Sequence, residues 1–91
     1  SEGYNGWTNY ETWATFTWWA NDEYDYNYLT KKASEFESVG EFADFLKHMA
    51  FEILETVLNG EGTEAQKNLV RDAGNFSHVN FYEIAEALKE E

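Results

Sequence analysis

Asp44, His48 and Glu52 stand four and eight residues apart. On a helix that spacing offers two carboxylates and an imidazole from one face, for a divalent ion or for proton transfer. The outer two lie about 12 Å apart along a straight helix, too far for one ion to reach all three. The second histidine, His78, falls far along the chain in a segment that reads as a loop. With no cysteine in the chain there is no thiolate nucleophile, no disulfide framework and no zinc–thiolate site. Glycine-rich phosphate loops, serine nucleophile arrangements and paired-carboxylate motifs are not recognisable. The expectation is a protein that is not an enzyme and holds no metal or cofactor.

The same face reads differently as a row of charge. Glu41, Asp44, Glu52 and Glu55 fall on one side of a helix, with Glu37 just upstream. From Glu41 to Glu55 the row spans about 21 Å, while DNA presents one phosphate per about 3.4 Å of each strand. Such a row could occupy a groove lined with lysine and arginine that was built for several phosphates. Lys47 is the only lysine or arginine between Lys32 and Lys67, whereas a helix selected for stability alone usually interleaves lysine four residues after glutamate. Glu35, Asp22, Glu23 and Asp25 extend the candidate surface. A merely solvated face and a functional imitation of nucleic acid both fit this pattern.

Residues 9–29, "NYETWATFTWWANDEYDYNYL", crowd rings among carboxylates. Exposed rings that stack on bases sit inside basic grooves; here only Lys31 and Lys32 are near. On a helix Tyr10, Trp13, Ala14, Thr17 and Ala20 share one face, and Tyr10 and Trp13 are expected in the core. Thr12, Thr15 and Trp19 fall opposite, with Trp18 on the flank. Trp18 and Trp19 are therefore the candidates for an exposed protein-docking patch.

The elements that must position these residues read as five helices. Thr8 and Glu11 fit a capping box that starts the first helix near Asn9, and Asn21-Asp22 stops it and caps the second. The second carries Tyr28, Leu29, Lys32, Ala33 and Phe36 at helical spacing. Ser38 and Glu41 form another capping box before the longest helix, whose Phe42, Phe45, Leu46, Met49, Ile53, Leu54, Val57 and Leu58 recur with helical period. Asn59-Gly60 ends it. Thr63 and Gln66 open a shorter helix that Gly74-Asn75 closes. Asn80 and Glu83 open the last, with Val79 placed to staple against Ile84 and with Phe81, Ile84, Ala85 and Leu88 facing inward. The fold class is all-α: a compact single-domain bundle of about five helices over residues 1–91, with an aromatic-rich first helix and an irregular segment at 1–8.

Ninety-one residues leave room for one core. Eighteen acids against six bases give a formal charge of −12 and a pI near 4.3. That field repels phosphate backbones and anionic lipid, so direct nucleic-acid and membrane binding are disfavoured, and it attracts basic surfaces. No apolar run approaches the roughly 18 residues of a membrane span, and no signal peptide is recognised, so the cytosol of a host cell is the expected location.

The opening "GWTNYETW", followed by Trp18 and Asn21-Asp22, resembles a family of short, mostly uncharacterised phage, plasmid and bacterial proteins. These begin with a G-[WY]-x-N-Y-E-T-W segment and continue into L-W and N-D. The closing "VNFYEIAEAL", Val79 to Leu88, is similar to the family's ending. Where the family commonly has aliphatics after the motif, this chain has Phe16, Thr17 and Trp19. The resemblance implies a mobile-element setting.

Two functions follow as expectations. One is a small acidic phage-type inhibitor of a host defence nuclease complex, anti-CRISPR or anti-restriction. It would occupy a basic nucleic-acid-binding surface through Glu41, Asp44, Glu52 and Glu55, with Glu35, Glu37, Asp22, Glu23 and Asp25 extending the contact. The other is a non-inhibitory helical interaction module that docks through Trp18 and Trp19. Self-association through the same rings is open to either.

Overall fold

The computed structural model describes residues 3–90. Five helices form: α1 (Tyr10–Asn21), α2 (Glu23–Glu35), α3 (Val39–Leu58), α4 (Glu64–Ala73) and α5 (Phe81–Lys89), with a 3-10 turn at Phe76–His78 before α5. The fold is all-α. Among the described residues the only β pairing is an isolated bridge between Tyr4 and Trp7.

Each helix starts where a side-chain oxygen can accept an otherwise unsatisfied amide. Asn9, Asp22, Ser38, Thr63 and Asn80 do this for the amides of Thr12, Asp25, Glu41, Gln66 and Glu83 respectively. Thr63 and Gln66 complete the reciprocal capping box. At α1 the expected Thr8–Glu11 box is replaced by Asn9. The Thr8 amide donates instead to Glu83 Oε1 at 3.0 Å, and its hydroxyl accepts from Asn80 Nδ2 at 3.3 Å. Gly74 closes α4 at φ 80°, a conformation that suits a residue without Cβ.

The segment expected to be irregular, residues 1–8, contains a tight turn in its described part; residues 1–2 lie outside the described residues. Asn5 (φ 50°) and Gly6 (φ 88°) both occupy left-handed backbone. Tyr4 and Trp7 exchange both amide–carbonyl bonds at 2.7 and 2.8 Å. Asn-Gly is the dipeptide that this mirror-image turn favours.

α1 is turned over relative to expectation. Thr12, Ala14, Thr15 and Trp19 are its buried residues; Trp13 is half-buried and Tyr10 is 36% exposed. The reason is that α1 is apolar on both sides and the buried threonines carry no unsatisfied hydroxyl. Thr12 donates to Asn9 Oδ1 at 2.6 Å and accepts from the Asn80 amide at 2.9 Å, and Thr15 donates to the Glu11 carbonyl at 2.9 Å. The outer face is roofed by the N-terminal turn. Tyr4 meets the Tyr10 and Trp13 rings at 5.1 Å each, and Trp7 meets Phe16 at 4.7 Å.

α3 packs chiefly on α5, and α1 on α4. Phe42, Leu46 and Ile53 of α3 join Ile84 and Leu88 of α5, Leu29 of α2 and Leu69 of α4 in one cluster. The four residues expected inward on α5 are its buried ones, Val79 is buried in the same cluster as Ile84, and Leu58, expected on the apolar face of α3, is exposed. α2 packs on α1 and α5 and meets α3 through side chains, with the Phe36 ring on those of Phe42 and Phe45 at 5.6 and 5.4 Å. Lys89 supplies the stop for α2: its ammonium donates to the carbonyls of Ala33 (2.7 Å) and Phe36 (2.5 Å). A cation is favoured there by the helix dipole.

Candidate functional site

α3 turns a polar flank outward because its buried residues occupy the opposite stripe. Glu41, Asp44, Lys47, His48, Glu52 and Glu55 are exposed on it. Asp44, Lys47, His48, Phe51, Glu52 and Glu55 border one shallow depression. His48 is tied to its own helix, Nδ1 lying 2.9 Å from the Asp44 carbonyl. A carbonyl only accepts, so this nitrogen carries the proton. Among the described residues no three His, Asp or Glu side chains converge on a point that an ion could share.

Side-chain contacts between α2 and α3 decide which acids meet. The first turn of α2 lies beside the second half of α3, so Tyr24, Asp25 and Tyr28 border a common cleft with Met49, Glu52, Ile53 and Thr56. Asp25 and Glu52, distant in sequence, thereby share one site. Glu55 lies one turn of α3 beyond Glu52, Asp22 caps α2 just ahead, and Glu23 is exposed in the first turn. Glu35 and Glu37 sit at the far end of α2, near Glu41 at the start of α3, and are exposed. Of the candidate acids, only Asp25 and Glu52 line the cleft. Residues 22–55 thus hold nine carboxylates against Lys31, Lys32 and Lys47. Lys32 is drawn into the α2–α3 seam: its ammonium lies 3.2 Å from Glu35, 5.9 Å from the Tyr28 ring centre and 5.6 Å from that of Phe45.

Acidity is not confined to this pair of helices. Glu83, Glu86 and Glu90 border another shallow surface with Gly6 and Trp7. Their spacing of three and seven residues places them on one stripe of α5 and its C-cap, a pattern readable in the sequence. Glu83 is half-buried and committed to the Thr8 amide.

The aromatic candidates require correction. Trp19 is 2% exposed and is no docking residue, because α1 buries the face that carries it. Trp18 is half-buried, its indole N–H donating to Asp72 Oδ2 at 2.9 Å. The rings that face solvent near the acids are Tyr24, 76% exposed, and Tyr28, parallel to one another with centres 6.4 Å apart. Their spacing of four residues in the first turns of α2 was the available signal.

The cleft between α2, α3 and α4 encloses about 280 Å³, with Trp18, Trp19, Gln66 and Leu69 completing its lining. Burial, and secondarily the Asp22 carboxylate, hold the Asp25 carboxyl above its ordinary value. Trp19 Nε1 is buried without a hydrogen-bond partner, and leaving such a donor unmet costs about 1–3 kcal/mol.

Comparison with known families matches the Family of unknown function (DUF7249) over residues 1–91. The chain belongs to that family. No curated protein and no solved structure was found to match this DUF7249 chain.

Proposed function

We propose that this DUF7249 protein is a non-enzymatic inhibitor that docks its α2–α3 acidic surface onto a basic, nucleic-acid-binding surface of another protein and so excludes the nucleic acid. The observation that carries the reading is the charge imbalance over residues 22–55, on two consecutive helices. One of the few lysines there, Lys32, is partnered and lies over rings. A site built for phosphates would meet carboxylates from Glu41 to Glu55 over about 21 Å, with the carboxylates of α2 alongside. The resemblance to phage and plasmid proteins points to a nuclease complex of host defence in the host cytosol as the target class. Among the described residues no helix is long and apolar enough to cross a membrane.

Steering by this field makes association fast and salt-sensitive. The test takes a basic protein captured from the natural host, purifies it, and measures its nucleic-acid affinity against rising amounts of the chain at low and high salt. Competition is expected, weakening as salt rises. Glu52→Lys with Glu55→Lys should weaken it by about tenfold or more while helicity is kept. A captured protein that binds nucleic acid equally well with the chain present, or a double variant that competes as well as the parent, removes the proposal.

The docking-module reading has its own support once it is moved from Trp18 and Trp19 to the exposed rings of Tyr24 and Tyr28. Binding through these would survive high salt and fail in Tyr24→Ala.

A further inference from the structure

Two asparagines precede glycine in this chain, Asn5 and Asn59. Such a pair is open to attack by the glycine backbone nitrogen on the asparagine side-chain amide, because glycine has no side chain to block the approach. The fold treats the two pairs differently. Asn59-Gly60 ends α3 with both amides engaged: Asn59 donates to the Glu55 carbonyl at 3.1 Å, and Gly60 to that of Val57 at 2.9 Å. Asn5 and Gly6 are the two central residues of the turn that the Tyr4 and Trp7 amides close, and both are exposed. Among the described residues the Gly6 amide donates to no acceptor.

Attack requires only that one peptide rotate. With φ positive at both residues, 50° and 88°, the turn is of the I′ kind. Flipping the Asn5–Gly6 peptide converts it to the II′ kind. Asn5 then keeps its positive φ, its ψ moves to about −120°, and Gly6 passes to negative φ. Both kinds close the same two-residue hairpin, so the Tyr4–Trp7 bonds survive the flip. At that ψ the Gly6 nitrogen eclipses Asn5 Cβ, which brings it towards the side-chain amide carbon. Space around Gly6 is open, since a Cβ placed there would meet no atom within 4 Å.

We propose that Asn5 is a site of spontaneous backbone modification, in which the Gly6 nitrogen attacks the Asn5 side-chain amide. Hydroxide takes the proton from the Gly6 nitrogen, that nitrogen bonds to Asn5 Cγ, and the side-chain nitrogen leaves as ammonia. The product is a cyclic succinimide. Water then opens the ring, giving aspartate if the new Cγ–N bond breaks and isoaspartate if the original peptide bond does. One water is consumed and one ammonia released. Isoaspartate carries the main chain through Cβ and lengthens the turn by one atom, for which a two-residue hairpin has no slack. The Tyr4–Trp7 pair then parts. These residues roof α1 over Tyr10, Trp13 and Phe16, so the modification uncovers that aromatic face. Aspartate, in contrast, suits the same turn. None of this depends on what the α2–α3 surface binds.

The folded protein is held at mildly alkaline pH in 18O-labelled water, and peptides are mapped over time for solvent oxygen at each asparagine. A parallel sample is kept unfolded in urea. In the folded chain Asn5 should react about tenfold or more faster than Asn59, which must first release two cap bonds. In urea the two rates should converge. Folded Asn5 reacting no faster than Asn59, or a difference that persists in urea, overturns the assignment. Asn5→Gln, which would need a larger ring, should stay unlabelled at position 5 over the same period; labelling at the parent's rate would mean direct hydrolysis and overturn attack by Gly6. The isoaspartate form is then separated and compared with Asn5→Asp by amide hydrogen exchange. Tyr4 and Trp7 should lose protection in the isoaspartate form and keep it in Asn5→Asp. Retained protection in the first, or equal loss in the second, overturns the opening of the turn.

Discussion

Thr12→Val replaces a hydroxyl by a methyl of the same shape at a fully buried site, so it probes hydrogen bonding with little change in packing. Two bonds disappear. Thr12 Oγ1 no longer donates to Asn9 Oδ1, and the Asn80 amide loses its acceptor. Asn9 Oδ1 keeps the Thr12 amide at 2.9 Å, so the cap on α1 is weakened and not lost. The Asn80 amide, in a part-buried position at the start of α5, is left without that acceptor. A net hydrogen bond contributes about 1 kcal/mol, and an unsatisfied donor costs about 1–3 kcal/mol, the lower end applying here because water can reach part of the site. The expected destabilisation is about 2 kcal/mol, which for a domain of this size lowers Tm by roughly 10–15 °C. Valine and threonine have similar helix propensity, so propensity does not cloud the comparison. Thr12→Ser keeps the hydroxyl and loses one buried methyl, at about 1 kcal/mol. The assay is urea and thermal unfolding by circular dichroism, with m unchanged as the check that the unfolded state is the same. Asn9→Ala combined with Thr12→Val should cost less than the two separately, because they share one network. The reasoning fails if Thr12→Val is as stable as the parent, or if Thr12→Ser is the more damaging of the two.

Tyr10 and Lys89 make further tests. The phenol of Tyr10 is held above its ordinary 10.0, chiefly by its hydrogen bond to Asp72, then by burial and the Asp72 and Tyr4 charges. A raised folded pKa means that the bond stabilises fully below 10 and that this contribution is lost as pH rises through the folded value. Tyr10→Phe should therefore be less stable than the parent at neutral pH, and the gap should close in strongly alkaline buffer. A pH-independent gap in chemical denaturation would contradict the assignment. Lys89→Met keeps the apolar stem and deletes the ammonium that caps α2. It should cost about 1.5–3 kcal/mol, and α2 amides should lose protection in hydrogen exchange. Equal stability would show that the carbonyls of Ala33 and Phe36 are adequately met by water.

The helices were legible because their signals are local. A capping oxygen at Asp22, Ser38, Thr63 and Asn80, a glycine at position 60 or 74, and the period of Phe42, Leu46 and Ile53 all act within a few residues. What failed was decided at long range. Thr8 and Asn9 are both able to cap, and the choice fell to Asn9 because Thr8 is engaged by Asn80 and Glu83. The orientation of α1 could not be read from period, since rings lie on every side of it and hydroxyl satisfaction, not hydrophobicity, lets Thr12 and Thr15 go inside. Trp19 followed that rotation into the core. The candidate acids on α3 were readable as a stripe, whereas the meeting of Glu52 with Asp25, Tyr24 and Tyr28 at one cleft depends on how the fold brings α2 and α3 together, which no single helix encodes.

The same long-range contacts explain the polar residues at the start of α1. Each polar residue of Asn9-Tyr10-Glu11-Thr12 reaches a residue far along the chain. Asn9 Nδ2 donates to the His78 carbonyl at 2.7 Å, Tyr10 donates to Asp72, Glu11 lies 3.6 Å from His78 Nδ1, and Thr12 accepts from the Asn80 amide. The motif is a clasp that fastens the first helix to the last third of the chain. Its closing counterpart from Val79 to Leu88 supplies the other half of the clasp and the inner face of α5. The two segments hold the ends of the chain together, while Leu29, Phe42, Leu46, Ile53 and Leu69 between them supply much of the core. The acids of residues 22–55 and the cleft between α2 and α4 lie outside the two segments, apart from Asp22 and the cleft's Trp18 and Trp19, on surfaces that the clasp holds in place without constraining their composition. In this chain the clasp and the acidic surface are thus set by largely different residues.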